Sequence, residues 1–195
     1  MKTTLFICAL FCLVGCGGSS SSGGGPQANL DGFTKVDAGN GVTQVSKKND
    51  SGELMESGFV IGGSKSGNWI TYHKGKDAGR IKTTASYTNG ILNGPYFEFN
   101  NRGQIETESN YMNNKYHGQV VTYKFGRPLT IKTYNKGNLD GLSTDYYSDG
   151  VVQKEINFKG GKQDGSMKWY NEEGKVTMEY EYKNGEKVSG GMVGK

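Results

Sequence analysis

Apolar and polar residues alternate along several short segments of this 195-residue chain. The clearest segments are 105–111, 152–158 and 176–182. In the last of these, one face carries Val176, Met178, Tyr180 and Tyr182, and the other carries Thr177, Glu179 and Glu181. Because successive side chains of a strand point to opposite sides, this pattern predicts half-buried β-strands. No apolar period of about 3.6 residues is sustained over three turns, so no helix is predicted.

The alternating segments recur about every 24 residues. Six glycines, which we call the outer glycines, mark the period: Gly67, Gly94, Gly118, Gly141, Gly165 and Gly190. An aromatic residue stands five positions after each of the first five: Tyr72, Phe99, Tyr123, Tyr146 and Tyr170. An inner glycine then follows at Gly75, Gly103, Gly126, Gly150 and Gly174, and Gly52 has this place in an incomplete repeat before them. A regular period of this length indicates an array of similar structural units.

Each repeat also contains a turn signal. An aromatic or apolar residue stands seven or eight positions before each outer glycine, and a turn pair begins two residues after it. The pairs are Gly62-Gly63, Asn89-Gly90, Asn113-Asn114, Lys136-Gly137, Gly160-Gly161 and Asn184-Gly185. Asn-Gly and Gly-Gly are typical of β-hairpins, because both central residues of a type I′ turn need a positive φ. The sequence therefore predicts an all-β fold, an elongated and twisted antiparallel array of β-hairpins in a single-layer or partly rolled sheet.

One repeat departs from the common pattern. After Pro128, the apolar residues Leu129 and Ile131 fall out of phase with those of the other repeats, and this unit is one residue short. A one-residue offset would move every following side chain to the other face of the sheet. We therefore expect a β-bulge or a change of register after Pro128.

Three segments of the repeats resemble a known family. They are Asn-Asn-Lys-Tyr-His-Gly at 113–118, Phe-Lys-Gly-Gly-Lys-Gln-Asp-Gly at 158–165 and Tyr-Lys-Asn-Gly-Glu at 182–186. These segments resemble MORN-variant repeats, which occur in proteins labelled YwqK-family antitoxins. The resemblance covers roughly residues 52–190 and implies an elongated, twisted antiparallel β array.

The first residues have the features of an export signal. Lys2 precedes an uncharged run over residues 5–14, which suits a signal peptide and is too short to span a bilayer. The run ends in Leu-Val-Gly-Cys at 13–16, which resembles a bacterial lipobox. We expect residues 1–15 to be a signal peptide and Cys16 to carry the lipid. The alternative is an ordinary signal peptide with a chance cysteine. Because Cys8 and Cys12 lie in the removed segment, Cys16 would be the single cysteine of the mature chain.

A Gly/Ser-rich segment over residues 17–25 follows this cysteine and predicts a flexible coil. The expected organisation is a lipidated cysteine with a flexible linker over 16–30, hairpin repeats over 31–190 and a tail over 191–195. Gly17 and Gly18 follow Cys16, with no aspartate at the next position. By resemblance to lipoprotein sorting, this predicts a lipid-anchored protein of the cell envelope, at the outer membrane if the host has two membranes.

Catalytic and metal-binding motifs are missing from the sequence. The formal net charge of +4 is too small to indicate nucleic-acid binding. His73 and His117 occupy different phases of the repeat, and no pattern of metal ligands, phosphate-binding loop or nucleophile motif accompanies them. We therefore expect a protein that is not an enzyme and that holds no metal or other cofactor.

The candidate binding residues are aromatics that occur less regularly than the repeat: Trp69, Tyr96, Tyr116, Tyr147 and Trp169. Exposed Trp and Tyr side chains anchor protein partners or stack on sugars. Cross-strand pairing within the sheet is the competing interpretation. The leading prediction is a non-enzymatic scaffold, anchored to the membrane through Cys16, that binds a protein partner. The alternative is a module that binds the cell wall or a glycan through these aromatics.

Overall fold

The computed structural model describes residues 25–193, and these residues form fifteen β-strands and a short 3-10 turn over Gly75–Asp77. The strands are β1 Phe33–Gly39, β2 Val42–Lys48, β3 Leu54–Ile61, β4 Ser64–Tyr72, β5 Ile81–Thr88, β6 Ile91–Phe99, β7 Ile105–Met112, β8 Lys115–Tyr116, β9 Gly118–Lys124, β10 Arg127–Asn135, β11 Asn138–Tyr146, β12 Val152–Lys159, β13 Lys162–Tyr170, β14 Val176–Lys183 and β15 Glu186–Met192. No helix in this part of the chain is long and apolar enough to cross a membrane.

The strands form one open antiparallel sheet, and their order in the sheet is their order in the chain. Each strand between the two edge strands β1 and β15 pairs with its neighbours on both sides, except the two-residue β8, which pairs only with β7 beside β9. A row of fourteen strands at about 4.8 Å spacing is roughly 60 Å long. The prediction of an all-β array of consecutive hairpins is therefore confirmed, and within residues 25–193 the sheet has a single layer.

The predicted turn pairs join the strands as hairpins. At all six pairs both residues have positive φ, from Gly62 (56°) and Gly63 (81°) to Asn184 (53°) and Gly185 (93°). A seventh pair, Asn40-Gly41, joins β1 to β2 with the same geometry. This first hairpin carries the same Asn-Gly signal, but it lies outside the predicted repeat because Val45 stands where the other turns are followed by an outer glycine.

Hydrogen bonds also link five of the hairpin turns to the preceding hairpin. The second residue of a turn donates its N–H to the carbonyl of the residue two positions after the preceding turn. The bonds are Gly90 to Lys65, Asn114 to Leu92, Gly137 to Tyr116, Gly161 to Leu139 and Gly185 to Gln163, each 2.8–2.9 Å long. Successive repeats are therefore joined by backbone hydrogen bonds between their turns as well as by side-chain contacts.

Each of the first five outer glycines lies opposite an aromatic residue of the next strand. The pairs are Gly67 with Tyr87, Gly94 with Tyr111, Gly118 with Tyr134, Gly141 with Phe158 and Gly165 with Tyr182. All five glycines have positive φ, which other residues adopt at a cost. The outer glycine therefore supplies a backbone conformation that other residues rarely adopt.

Gly141→Ala tests this role. Gly141 has φ 113°, and an added Cβ would lie 3.3 Å from the Cβ of Thr133. We expect a loss of at least about 1–2 kcal/mol in the free energy of unfolding, measured by urea titration. Gly191→Ala is the control, because Gly191 has no positive φ and open space around its Cα. Equal stability of the two variants would contradict the structural role of the outer glycine.

The predicted β-bulge after Pro128 is confirmed, because the register between β9 and β10 shifts between Pro128 and Thr130. Other repeats have the same shift beside their inner turns. In β6–β7, for example, Glu98 pairs with Thr107 and Phe99 with Ile105, so one residue of β7 is left over after the turn. The third repeat therefore keeps the common register. Ile131 appeared out of phase in the sequence because it occupies the position at which β7, β12 and β14 carry a glutamate.

The best-packed region lies at the N-terminal end of the sheet. Val45, Val60 and Trp69 are 1%, 3% and 3% exposed, and Leu30, Phe33 and Tyr87 pack against them. Segment 25–30 lies over the neighbouring turns, where Ala28 donates its N–H to the carbonyl of Gly63 (2.8 Å). This part of the expected flexible linker therefore contacts the repeats. The earlier part, Cys16 and the expected signal peptide lie outside the described residues.

Candidate functional site

The two faces of the sheet carry different side chains. One face, which we call the tyrosine face, contains the register row Trp69, Ala85, Tyr96 and Ser109 on β4 to β7. The other, which we call the glutamate face, carries Glu108, Glu155 and Glu179 at equivalent positions. Because directly paired residues of neighbouring strands point to the same side, these rows run along the whole sheet.

Four tyrosines form a continuous cluster at the middle of the tyrosine face. The ring of Tyr111 lies 5.6 Å from that of Tyr96 and 4.7 Å from that of Tyr116, and Tyr116 lies 5.2 Å from Tyr134. We call these four residues the tyrosine cluster. All four are half-buried, and no second layer of strands or helices within residues 25–193 covers them.

Two members of the tyrosine cluster, Tyr96 and Tyr111, have raised pKa values. Burial, and then the hydrogen bond that its hydroxyl donates to Glu98 (2.9 Å), raise the pKa of Tyr96 far above its ordinary value. Burial and the neighbouring Tyr116 raise the pKa of Tyr111 in the same way. Ser109, 3% exposed, lies in the same strand as Tyr111 and its hydroxyl has no hydrogen-bond partner among the described residues. The cluster therefore offers adjacent aromatic rings and polar hydroxyls, with the Glu98 carboxylate beside Tyr96.

The structure brings together two of the five predicted binding residues. Tyr96 and Tyr116 both contact Tyr111, so they belong to one surface. Tyr147 lies at the inner turn after β11 and donates its hydroxyl to the carbonyl of Tyr170 (2.8 Å). Trp169 lies half-buried on β13, with the ammonium of Lys154 5.1 Å from its ring centre.

Trp69 lies in the packed region. It is 3% exposed, its indole N–H donates to Glu56 (2.9 Å), and the ammonium of Lys65 lies 4.0 Å from its ring centre. Its ring lies against Gly58, where a side chain would overlap it. Burial lowers the pKa of Lys65. In the structure Trp69 therefore joins strands and presents almost no surface to a ligand.

Sequence reasoning missed Tyr111 and Tyr134 as members of the binding surface. They stand seven residues before the outer glycines Gly118 and Gly141, a position that the repeat predicts only as structural. Strand pairing would have found them. Tyr111 pairs with Gly94 and Tyr134 pairs with Gly118, and these pairs put both tyrosines on the same face of the sheet as Tyr96.

The aromatics that follow the outer glycines have a structural role on the glutamate face. Tyr123 donates its hydroxyl to Glu108 (3.1 Å) and Tyr170 donates to Glu155 (2.6 Å), in each case fifteen residues earlier in the chain. Tyr72 and Ser57 form the same contact between hydroxyls (3.2 Å). These recurring bonds connect successive repeats across the strands.

The hydrogen bond of Tyr170 leads to a pH prediction. Burial and the contact with Glu155 raise the pKa of Tyr170 from 10.0 to about 12. Because the folded chain holds this proton more tightly than the unfolded chain, the contribution to stability is complete below pH 10. It is lost as the pH rises to about 12. We expect denaturant midpoints to fall across this window, and Tyr170→Phe to flatten the fall. An unchanged profile in this variant would contradict the assignment.

A second surface feature lies at the edge of the sheet that carries the inner turns. A cavity of about 560 Å³ between β2 and β5 is lined by Lys47, Lys48, Lys74 and Lys82, together with Glu56 and Tyr72. Within residues 25–193, no group of three or more His, Cys, Asp or Glu side chains is arranged to hold a metal ion. The tyrosine cluster is the better candidate for a binding surface, since its rings are adjacent and partly exposed.

The fold and this surface define a β-hairpin repeat protein with an open aromatic face. Residues 139–159 and 163–184 match the family model described as "MORN repeat variant". Each match covers a strand, an inner turn and the next strand, namely β11–β12 and β13–β14. The resemblance noted in the sequence is thus confirmed for two adjacent repeats, and the same structural unit recurs along the sheet. No curated protein matches the chain in sequence.

Solved structures add little to this picture. The chain is similar to a crystal structure of S. aureus TarM, a mutant in complex with fondaparinux, alpha-GlcNAc-glycerol and UDP, with 11% identity and a TM-score of 0.30. The match covers 69% of this chain and 21% of that one. A second crystal structure of TarM gives 12% identity and a TM-score of 0.28, with 68% and 22% covered. The chain thus spans about a fifth of the length of these structures, and the likeness carries no functional argument.

Proposed function

We propose that this protein is a non-enzymatic scaffold of the bacterial envelope, anchored by a lipid on Cys16, that binds a protein partner with its tyrosine face. The observation that carries the proposal is the tyrosine cluster, which lies half-buried on an open sheet face. Tyrosine is enriched at the centres of protein interfaces, because it buries a large ring and still offers a hydroxyl for hydrogen bonding. The segment Leu-Val-Gly-Cys at 13–16, which resembles a lipobox, supports the anchor.

Glycan binding remains the alternative prediction from the sequence. Stacking on sugars needs free aromatic faces, and Trp69 is buried under Lys65 while the rings of the tyrosine cluster contact one another. These contacts favour a protein partner over a sugar polymer.

Site-specific photocrosslinking tests the proposal. A benzophenone amino acid in place of Tyr116 should yield a defined crosslinked protein in intact cells, identified by mass spectrometry. The matched control is the same probe in place of Tyr146, which is also half-buried but belongs to the aromatics of the glutamate face. Crosslinks of equal yield and identity from both positions would contradict binding by the tyrosine face. Recovery of cell-wall polymer from the Tyr116 probe alone would favour the alternative.

A further inference from the structure

A coil segment, residues 25–30, lies across the hairpin turn at 62–63, and we call it the strap. Ala28 donates its backbone N–H to the carbonyl of Gly63 (2.8 Å). The side-chain amide of Gln27 donates to the carbonyl of Gly62 (3.3 Å). The carbonyls of the two central residues of a hairpin turn take no part in strand pairing, so the sheet leaves them free. The strap is therefore held at the turn edge of the sheet without adding a strand to it.

Leu30, at the end of the strap, covers part of the tyrosine face. It packs against the buried group that contains Val60 and Trp69, each 3% exposed. Val60 stands seven residues before an outer glycine, as Tyr111 does, and Trp69 stands two residues after one, as Tyr96 does. Tyr96 and Tyr111 are only half-buried. Equivalent positions of the face are thus buried beside Leu30 and partly exposed in the tyrosine cluster.

The turns beside the tyrosine cluster have the same free backbone groups. Asn114 and Gly137 are the second residues of their turns, as Gly63 is of its own. Within residues 25–193, no loop or turn N–H donates to the carbonyls of Asn114 and Gly137. The two turns are neighbours, because a Cβ added at Gly137 would lie 3.5 Å from the Cβ of Lys115. A second extended segment therefore has room and hydrogen-bond acceptors along this edge.

This part of the turn edge carries positive charge. Lys115 and Lys136 are exposed, and neither forms an ion pair within the described part of the chain. The carboxylate of Glu98 lies on the inner-turn side, where it accepts a hydrogen bond from the tyrosine cluster. A covering segment is therefore favoured if it has acidic side chains near the turns and an apolar side chain over the rings. The strap itself combines such groups, since Asp31 follows Leu30.

We propose that the tyrosine cluster binds an extended, acidic segment of the partner protein, which lies across the turns at 113–114 and 136–137 as the strap lies across its own turn. An aliphatic side chain of that segment covers Tyr111 and Tyr116, and its acidic side chains lie beside the two lysines. This inference rests on the proposed scaffold function and names the kind of partner segment. Residues 17–24 of this chain are only glycine and serine, so they offer no side chain for this place.

The first test uses a labelled peptide that copies residues 25–33, with Asn29→Asp to add a second acidic side chain beside Asp31. We expect the peptide to bind the full chain in detergent, measured by fluorescence anisotropy. A peptide with Leu30→Ala should bind about tenfold more weakly, because the burial of one leucine side chain is lost. A peptide with lysine at both acidic positions should lose binding. Equal binding of the leucine and alanine peptides would overturn the proposal.

A benzophenone amino acid in place of Leu30 of the peptide locates the site. Its crosslinks, mapped by mass spectrometry, should fall in residues 105–118 or 127–137 of the chain. Crosslinks confined to the region of Val60 and Trp69 would mean that the peptide only replaces the strap, and would overturn the proposal. Self-association of the chain that the peptide reverses would make a second copy the occupant and would overturn it as well.

Charge variants of the chain test the recognition of an acidic segment. The double substitution Lys115→Gln and Lys136→Gln should weaken peptide binding about fivefold and reduce its dependence on salt. The matched control, Lys124→Gln with Lys175→Gln, removes two exposed lysines at the inner-turn edge and should leave binding unchanged. Equal effects of the two pairs would overturn the proposal. A partner crosslinked at Tyr116 together with no peptide binding would leave the scaffold function intact and reject the extended acidic segment alone.

Discussion

Replacing Trp69 by alanine is expected to lower the free energy of unfolding by about 3–5 kcal/mol, the usual cost of deleting a large buried aromatic. Trp69 packs with Val45 and Val60 in a single-layer sheet, where few other side chains are fully covered. It also satisfies Glu56 through its indole N–H. The loss is measured from the urea dependence of the circular dichroism of the full chain in detergent.

The matched control is Trp169→Ala. Trp169 lies on the same face but is only half-buried, so it gives up less apolar area and we expect a loss of about 1–2 kcal/mol. Gly58→Ala is a second check, because the added methyl would overlap the ring of Trp69 and overpacking destabilises a core. Equal losses for the two tryptophans would contradict the packing of Trp69.

The hairpin array was predictable because its signals are local. A turn pair such as Asn89-Gly90 determines two adjacent strands by itself, since its positive φ values and the two-residue loop fix the register near the turn. Gly94 gives a second local signal, because its positive φ is a backbone conformation that other residues avoid. The phase of the strands could therefore be read without knowledge of distant contacts.

The candidate binding surface was only partly predictable because it depends on contacts between strands. Trp69 looked like an exposed aromatic in the sequence, and its burial depends on Gly58, eleven residues earlier, and on Phe33, which packs against it across the sheet. Tyr134 joins the tyrosine cluster only because β8 places Tyr116 beside it. Sequence alternation assigns a residue to a face but does not determine which residues of that face touch.

Cys16→Ser is expected to convert a membrane-bound protein into a soluble or uncleaved one. Each buried methylene of an acyl chain contributes about 0.8 kcal/mol, and one chain gives only marginal binding. The two or three chains of a mature bacterial lipoprotein would therefore account for nearly all of the membrane affinity. The measurement is the partition of the processed chain between membrane pellet and supernatant, with and without detergent.

Cys12→Ser is the control for this prediction, because Cys12 lies four residues earlier, within the expected signal peptide. It should leave both processing and membrane partition unchanged. The Cys16→Ser chain should keep the circular dichroism of a β-sheet, since the turns and pairs of residues 33–192 involve no cysteine. If this variant were cleaved correctly and still remained in the membrane pellet, a lipid on Cys16 would not be the anchor. The hairpin array itself would then have to bind the membrane, and the assignment of the tyrosine face to a protein partner would need to be replaced.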